Sequence, residues 1–151
     1  MKLACRINGE SVNADVEPRL LLSDFLRHHL KLTGTHVGCE MGVCGACTII
    51  VDAEPVRSCL MFAVQADGMD VRTVESLAPG GDLSRLQKLF SKCHGLQCGY
   101  CTPGILMTVM ALAEKGALPS SEDEVRVALS GNICRCTGYQ GIVDAVMEFA
   151  K

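Results

Sequence analysis

Eight of the ten cysteines fall into two compact sets, Cys39, Cys44, Cys47 and Cys59, then Cys98, Cys101, Cys134 and Cys136. Thiolates are nucleophiles and soft metal ligands, and four of them suffice to hold one metal centre. The first set reads C-x4-C-x2-C, with its fourth cysteine after an eleven-residue gap, positions 48 to 58. That is the spacing of a plant-type [2Fe-2S] centre. Structural zinc also takes four thiolates, but its sites present paired short spacings such as a repeated C-x2-C. Iron–sulfur is therefore the expectation here. The residues between the cysteines agree, because Gly38, Gly42 and Gly45 let a loop turn tightly and aim backbone N–H groups at sulfur.

The second set reads C-x2-C, a long gap, then C-x-C. Cys98-Gly99-Tyr100-Cys101 alone also fits zinc or a thioredoxin-like redox pair. Cys134-Arg135-Cys136 separates these readings: two short pairs can close around one [2Fe-2S] core, whereas a thioredoxin-like pair needs a βαβ context that this half lacks.

Ten cysteines in 151 residues could also form a disulfide framework, so the compartment matters. The start, Met1 to Arg6, has no apolar h-region of the secretory kind, and a reducing cytoplasm with free thiolates is expected. The longest strongly apolar stretch, 104 to 113, is about half of the roughly 20 residues a membrane span requires. A net charge of −3 with mixed signs, and no lysine or arginine cluster, make nucleic acid an unsuitable partner. With 48% hydrophobic residues and a mean hydropathy of +0.25, the chain is apolar enough to bury area against other subunits.

These elements must position the cysteines. Alternation over Leu3 to Ile7, then Asn8-Gly9, then a run from Ser11 to Val16, predicts a β-hairpin. Leu22, Phe25, Leu26 and Leu30 recur at helical spacing within 21–30, with Ser23 or Asp24 near the start. Strands are expected over 48–52 and 70–74, and the turn formers of 77–82 suit a domain boundary. Beyond it, helices are expected over 84–92, 103–115, 122–129 and 141–150. Thr102 would cap the second, with Pro103 as its first residue and Gly116 as its stop. Ser121 and Glu124 would form a capping box on the third. Short connections between amphipathic helices favour a four-helix bundle.

Three runs resemble one family in combination. They are Cys39 to Cys47, Gly95-Leu96-Gln97-Cys98-Gly99-Tyr100-Cys101-Thr102-Pro103-Gly104, and Gly131-Asn132-Ile133-Cys134-Arg135-Cys136-Thr137-Gly138-Tyr139. The chain resembles the small iron–sulfur subunit of the molybdenum hydroxylases, which include xanthine dehydrogenase, aldehyde oxidoreductase and carbon monoxide dehydrogenase. The resemblance implies an α+β chain: an N-terminal β-grasp ferredoxin-like domain, 1–76, then a C-terminal four-helix-bundle domain, 77–151, each with one [2Fe-2S] cluster. It implies electron flow from molybdopterin, as its cytosine dinucleotide, on a large subunit to FAD on a medium subunit, in a heterotrimer or a dimer of heterotrimers. It also implies that Gln97 and Cys136 contact the pterin.

Other residues have plainer readings. Cys5 and Cys93 suit packing, His36 and His94 hydrogen bonding or the surface, and Met41, Met61, Met107 and Met110 the filling of core or interface gaps. Arg135 either offsets thiolate charge or pairs with a carboxylate. Tyr100 and Tyr139 are expected as packing lids over the second set. No catalytic triad, carboxylate pair or phosphate loop stands out, so no substrate chemistry is assigned to this chain. A free-standing ferredoxin-like shuttle and a zinc-stabilised interaction module are the alternative functions.

Overall fold

The computed structural model describes all of residues 1–151. Strands β1 (Lys2–Ile7) and β2 (Glu10–Asp15) form the expected hairpin, with Asn8 and Gly9 at φ 52° and 87°. Both turn positions need positive φ, which Asn and Gly adopt at least cost. Strands β3 (Thr48–Val51), β4 (Glu54–Arg57) and β5 (Asp70–Arg72) complete a five-stranded mixed sheet of order β2-β1-β5-β3-β4. Only β1 and β5 run parallel. Strand β4 lies at the edge, where Pro55 is tolerated because no neighbour needs its missing N–H. Its mixed composition hid it from a periodicity reading.

Helix α1 (Leu22–Asp24) runs directly into a π-helical turn, Phe25–His29, closed by Leu30 N–H on the Phe25 carbonyl. The expected regular helix is thus replaced by a wider turn, which keeps Leu22, Phe25 and Leu26 fully buried together. Neither Ser23 nor Asp24 caps it; the Ser23 hydroxyl is buried without a partner.

The rest is helical: α2 (Arg85–Lys92), α3 (Thr102–Glu114), α4 (Glu122–Ala128) and α5 (Gln140–Phe149). Ser84 caps α2 in a capping box with Gln87. On α3 the expected cap moves by one residue: Cys101 is the N-cap, and Thr102 lies inside the helix with a buried, unpartnered hydroxyl. Gly116 does stop it, at φ 64°. Ser121 caps α4, but Glu124 returns to Ser120 instead of completing a box.

Two features join sheet and helices. Period-two alternation sends Ile49 and Val51 of β3 into the core with Leu22, Phe25 and Leu26, while Ile50 faces Met107 and Ala111 of α3. Helix α3 is correspondingly apolar on more than one side, its Ile105, Leu106 and Val109 meeting Leu86, Phe90, Ile142 and Val146 of α2 and α5. Burying a side chain such as Ile50 contributes about 1.5–3 kcal/mol, far more than the partly exposed pairs Arg72–Glu114 and Lys115–Glu54 at the margin. Apolar packing holds the sheet on the helices.

Candidate metal centres

The loop before β3 carries Cys39, Cys44 and Cys47, and Cys59 follows β4 in a short 3-10 turn. The ladder between β3 and β4 therefore fixes how Cys59 returns to the loop: Thr48 faces Arg57, and Ser58 N–H and its hydroxyl both reach the Cys47 carbonyl. Cys47 and Cys59 are buried, and Cys39 and Cys44 are partly exposed.

Backbone donors converge on this set. Cys44 N–H lies 3.4 Å from Cys39 Sγ. Together with Met41 N–H, the neighbouring Cys44 thiol and Val43 N–H, it draws the Cys39 thiol down to about 6. Burial, then the adjacent Cys47 thiol, pushes Cys59 up to about 11, although Gly42 N–H favours its thiolate. The thiols thus stand as two pairs, Cys39 with Cys44 and Cys47 with Cys59.

In the second set, Cys98 and Cys101 sit in the turn that opens α3, and Cys134 and Cys136 in the turn before α5. Cys136 Sγ lies 3.5 Å from Cys98 Sγ, and both are exposed. The Cys98 thiol is lowered by Tyr100 N–H, then by Cys136, whose own thiol is raised by Cys98. Cys101 is only 9% exposed, and burial, then its Cys134 neighbour, pushes it up to about 12. Burial opposes ionisation of Cys134, but the Thr137 hydroxyl at 3.1 Å and nearby N–H groups outweigh it and lower the thiol. Again there are two pairs, Cys98 with Cys136 and Cys101 with Cys134.

This donor set fits a two-iron core better than a single ion. Zinc needs all four sulfurs at about 2.3 Å from one point. Two thiol pairs with N–H donors turned towards sulfur suit a core that takes two thiolates at each of two metals.

The two sets also face each other. A cavity of about 250 Å³ has Cys44 on one wall and Cys98, Cys101, Cys134 and Cys136 on the other. A larger hollow of about 340 Å³, beside the hairpin and Pro79, holds no thiol. Ile133 N–H donates to the Cys44 carbonyl at 2.8 Å, and Arg57 donates to the Gly131 carbonyl at 2.7 Å. Close approach requires two glycines: a Cβ on Gly45 would stand 2.2 Å from the Gly131 carbonyl oxygen, and one on Gly104 2.2 Å from that of Gly45.

Tyr139, at φ 71°, accepts Cys134 N–H and donates to the Asn132 carbonyl, at 2.8 and 3.0 Å, bracing the C-x-C turn from behind. Tyr100 is half-exposed; its ring stacks on His36, and its hydroxyl donates to the Val37 carbonyl. It ties the two loops instead of sealing one. His36 has the expected hydrogen-bonding role, on the Tyr100 carbonyl, and His94 is exposed. Arg135 is exposed and pairs with no carboxylate. Met107 fills the core and Met61 and Met110 pack against it, but Met41 is 68% exposed and fills no gap within the chain. Cys5 and Cys93 pack in the two cores, and burial raises the Cys5 thiol. Gln97 is exposed beside Cys98. Arg57, Thr48, Thr108 and Asn132 were not singled out by sequence; an Asn beside an apolar residue and two cysteines was the one available signal.

Residues 5–78 match a 2Fe-2S iron–sulfur cluster binding domain, and residues 73–147 match a [2Fe-2S] binding domain. The chain is 56% identical over 146 residues to the caffeine dehydrogenase subunit gamma of Pseudomonas sp. (strain CBB1), covering 95% of this chain and 87% of that one. It is 43% identical over 150 residues to the xanthine dehydrogenase iron–sulfur-binding subunit of Escherichia coli, covering 99% and 94%. The crystal structure of quinoline 2-oxidoreductase from Pseudomonas putida 86 superposes with a TM-score of 0.94 at 50% identity, covering 99% of this chain and 92% of that one.

Proposed function

Given that this chain belongs to the iron–sulfur subunits of the molybdenum hydroxylases, and is an electron-transfer component of an oxidoreductase, we propose that it carries two [2Fe-2S] clusters in series. Cys39, Cys44, Cys47 and Cys59 hold one, in a β-grasp ferredoxin-like domain of residues 1–76. Cys98, Cys101, Cys134 and Cys136 hold the other, in a four-helix-bundle domain of residues 77–151. Each cluster would supply a one-electron site whose potential the protein sets by ligation, N–H bonds and burial.

The observation that carries this reading is the hydrogen bond from Ile133 N–H to the Cys44 carbonyl. It joins a ligand of one centre to the residue before a ligand of the other. In the same reading, Cys98 and Cys136 form the outer end of the route: both are exposed, on segments that also expose Leu96, Tyr100 and Ile133. A large subunit with molybdopterin, in its cytosine dinucleotide form, would cover that end, with Gln97 and Cys136 against the pterin. A medium subunit with FAD would take electrons from the first centre. Substrate oxidation stays on the large subunit, and no residue of this chain acts on the substrate.

Metal analysis and EPR of the dithionite-reduced complex test the proposal. Four irons per chain, two distinguishable [2Fe-2S] signals, and co-purifying molybdenum and flavin are expected. The same irons without partners would favour the free shuttle, and zinc without iron would overturn both. Gln97→Ala should leave both signals intact and slow reduction by substrate; unchanged turnover would reject the pterin contact.

A further inference from the structure

The carbonyl of Gly45, between Cys44 and Cys47, accepts three donors. Thr48 supplies two, its N–H at 3.2 Å and its hydroxyl at 2.6 Å. The third is Asn132 Nδ2 at 3.1 Å, from 87 residues further along the chain and two residues before Cys134. Asn132 is 2% exposed. Its amide orientation is forced, because Gly45 offers only an acceptor and so must face the NH2 group. Its Oδ1 lies 3.1 Å from the Thr108 hydroxyl on α3.

In a planar trans peptide the carbonyl and the following N–H point in opposite directions. Fixing the Gly45 carbonyl on Asn132 and Thr48 therefore turns the Ala46 N–H the other way, away from Asn132, within the loop that carries Cys39, Cys44 and Cys47. Ala46 is 4% exposed, and its N–H has no acceptor in the chain. A buried N–H without a partner costs about 1–3 kcal/mol and is rare in native structures. Sulfur held by that loop is the acceptor such a donor fits.

Resting on the two-centre reading above, we propose that Asn132 is a positioning residue for the first centre, although it belongs to the second cysteine segment. By holding the Gly45–Ala46 peptide it presents the Ala46 N–H to the centre held by Cys39, Cys44, Cys47 and Cys59. An N–H dipole directed at sulfur stabilises the added electron, so Asn132 raises that centre's potential. The segment carrying one pair of ligands thereby tunes the neighbouring centre, and keeps the first centre attractive to electrons leaving the second.

The test is a redox titration of the assembled complex followed by EPR, comparing wild type with Asn132→Ala. Loss of the donor should make reduction of the first centre about tenfold less favourable, about 59 mV for a one-electron couple, with the second centre unmoved and four irons retained. Asn132→Asp, which keeps the shape but adds an acceptor and a charge, should shift the same signal further and serves if the alanine variant does not assemble. A lower melting temperature with both potentials unchanged would reduce Asn132 to a structural residue and overturn the proposal. Equal shifts at both centres would overturn it too. A wild-type complex without two [2Fe-2S] signals would instead refute the functional reading on which it rests.

Discussion

Three cysteines of the first set lie in one loop, with Cys59 returned to them by the β3–β4 ladder, whereas the second set is clasped by two helix-terminal segments, with Cys98 and Cys136 meeting across 38 residues. In the first, local N–H groups of Met41, Val43 and Cys44 turn towards Cys39, so chain-local geometry does much of the work. In the second, Cys101 is part of the helical core and caps α3, and Tyr139 braces the facing turn. The first set thus rests on a loop and the β-ladder beside it, and the second depends on how α3 and α5 pack.

Substituting single cysteines should expose this contrast most strongly. Cys44→Ser is expected to abolish one [2Fe-2S] EPR signal, keep the other, and cost little stability, since Cys44 is partly exposed. Cys101→Ser should abolish the other signal and also lower stability by about 1–3 kcal/mol, because it buries a hydroxyl in the helical core. Equal melting temperatures for the two variants would break the contrast.

Next in size is Gly104→Ala, which sets a Cβ 2.2 Å from the Gly45 carbonyl. Backbone must shift on both sides of the seam, so a loss of about 1–3 kcal/mol is expected. Both EPR signals should broaden, although Gly104 borders only the second set in sequence. If only the second changed, the seam would not couple the loops.

Tyr139→Phe removes the hydroxyl between Cys134 N–H and the Asn132 carbonyl, leaving both unpaired. A cost of about 1–2 kcal/mol follows from unmade bonds of this kind. The second signal should become labile to iron chelators and the first should not, which sharpens the contrast directly.

The smallest effect concerns the margin between sheet and helices. The Arg72 guanidinium beside Glu114 holds its carboxyl below the usual range. A depressed folded pKa gives stability that is present above the unfolded value and lost as pH falls through the folded one. The pair is about one-third exposed, so Glu114→Gln should cost under about 1 kcal/mol at neutral pH and flatten the acid limb of a stability–pH curve. A larger loss would mean that ion pairs, and not the packing of Ile50 on Met107, hold the sheet against α3.

Much of this was legible in the residues. Asn8-Gly9 announced the hairpin because few other dipeptides accept two positive φ values. Helical periodicity located α2 to α5 within one or two residues. Less visible were β4, whose Glu54 and Pro55 carry no strand signal, and the π-helical turn at Phe25, which has the same apolar spacing as an ordinary helix. Cap positions at Thr102 and Ser23 failed because hydroxyls near a helix start do not reveal which residue turns first.

The residues in chain order carry the inventory: two sets of four thiols, glycines where loops must turn tightly, and helices able to bring distant cysteines together. These follow from local chemistry, since spacing, propensity and φ preference act over a few residues. Long-range packing settles which thiol stands beside which, that Ile50 looks towards α3 while Ile49 looks away, and that Asn132 reaches Gly45 across 87 residues. Those relations depend on the packing of the sheet against α3, which no local pattern records.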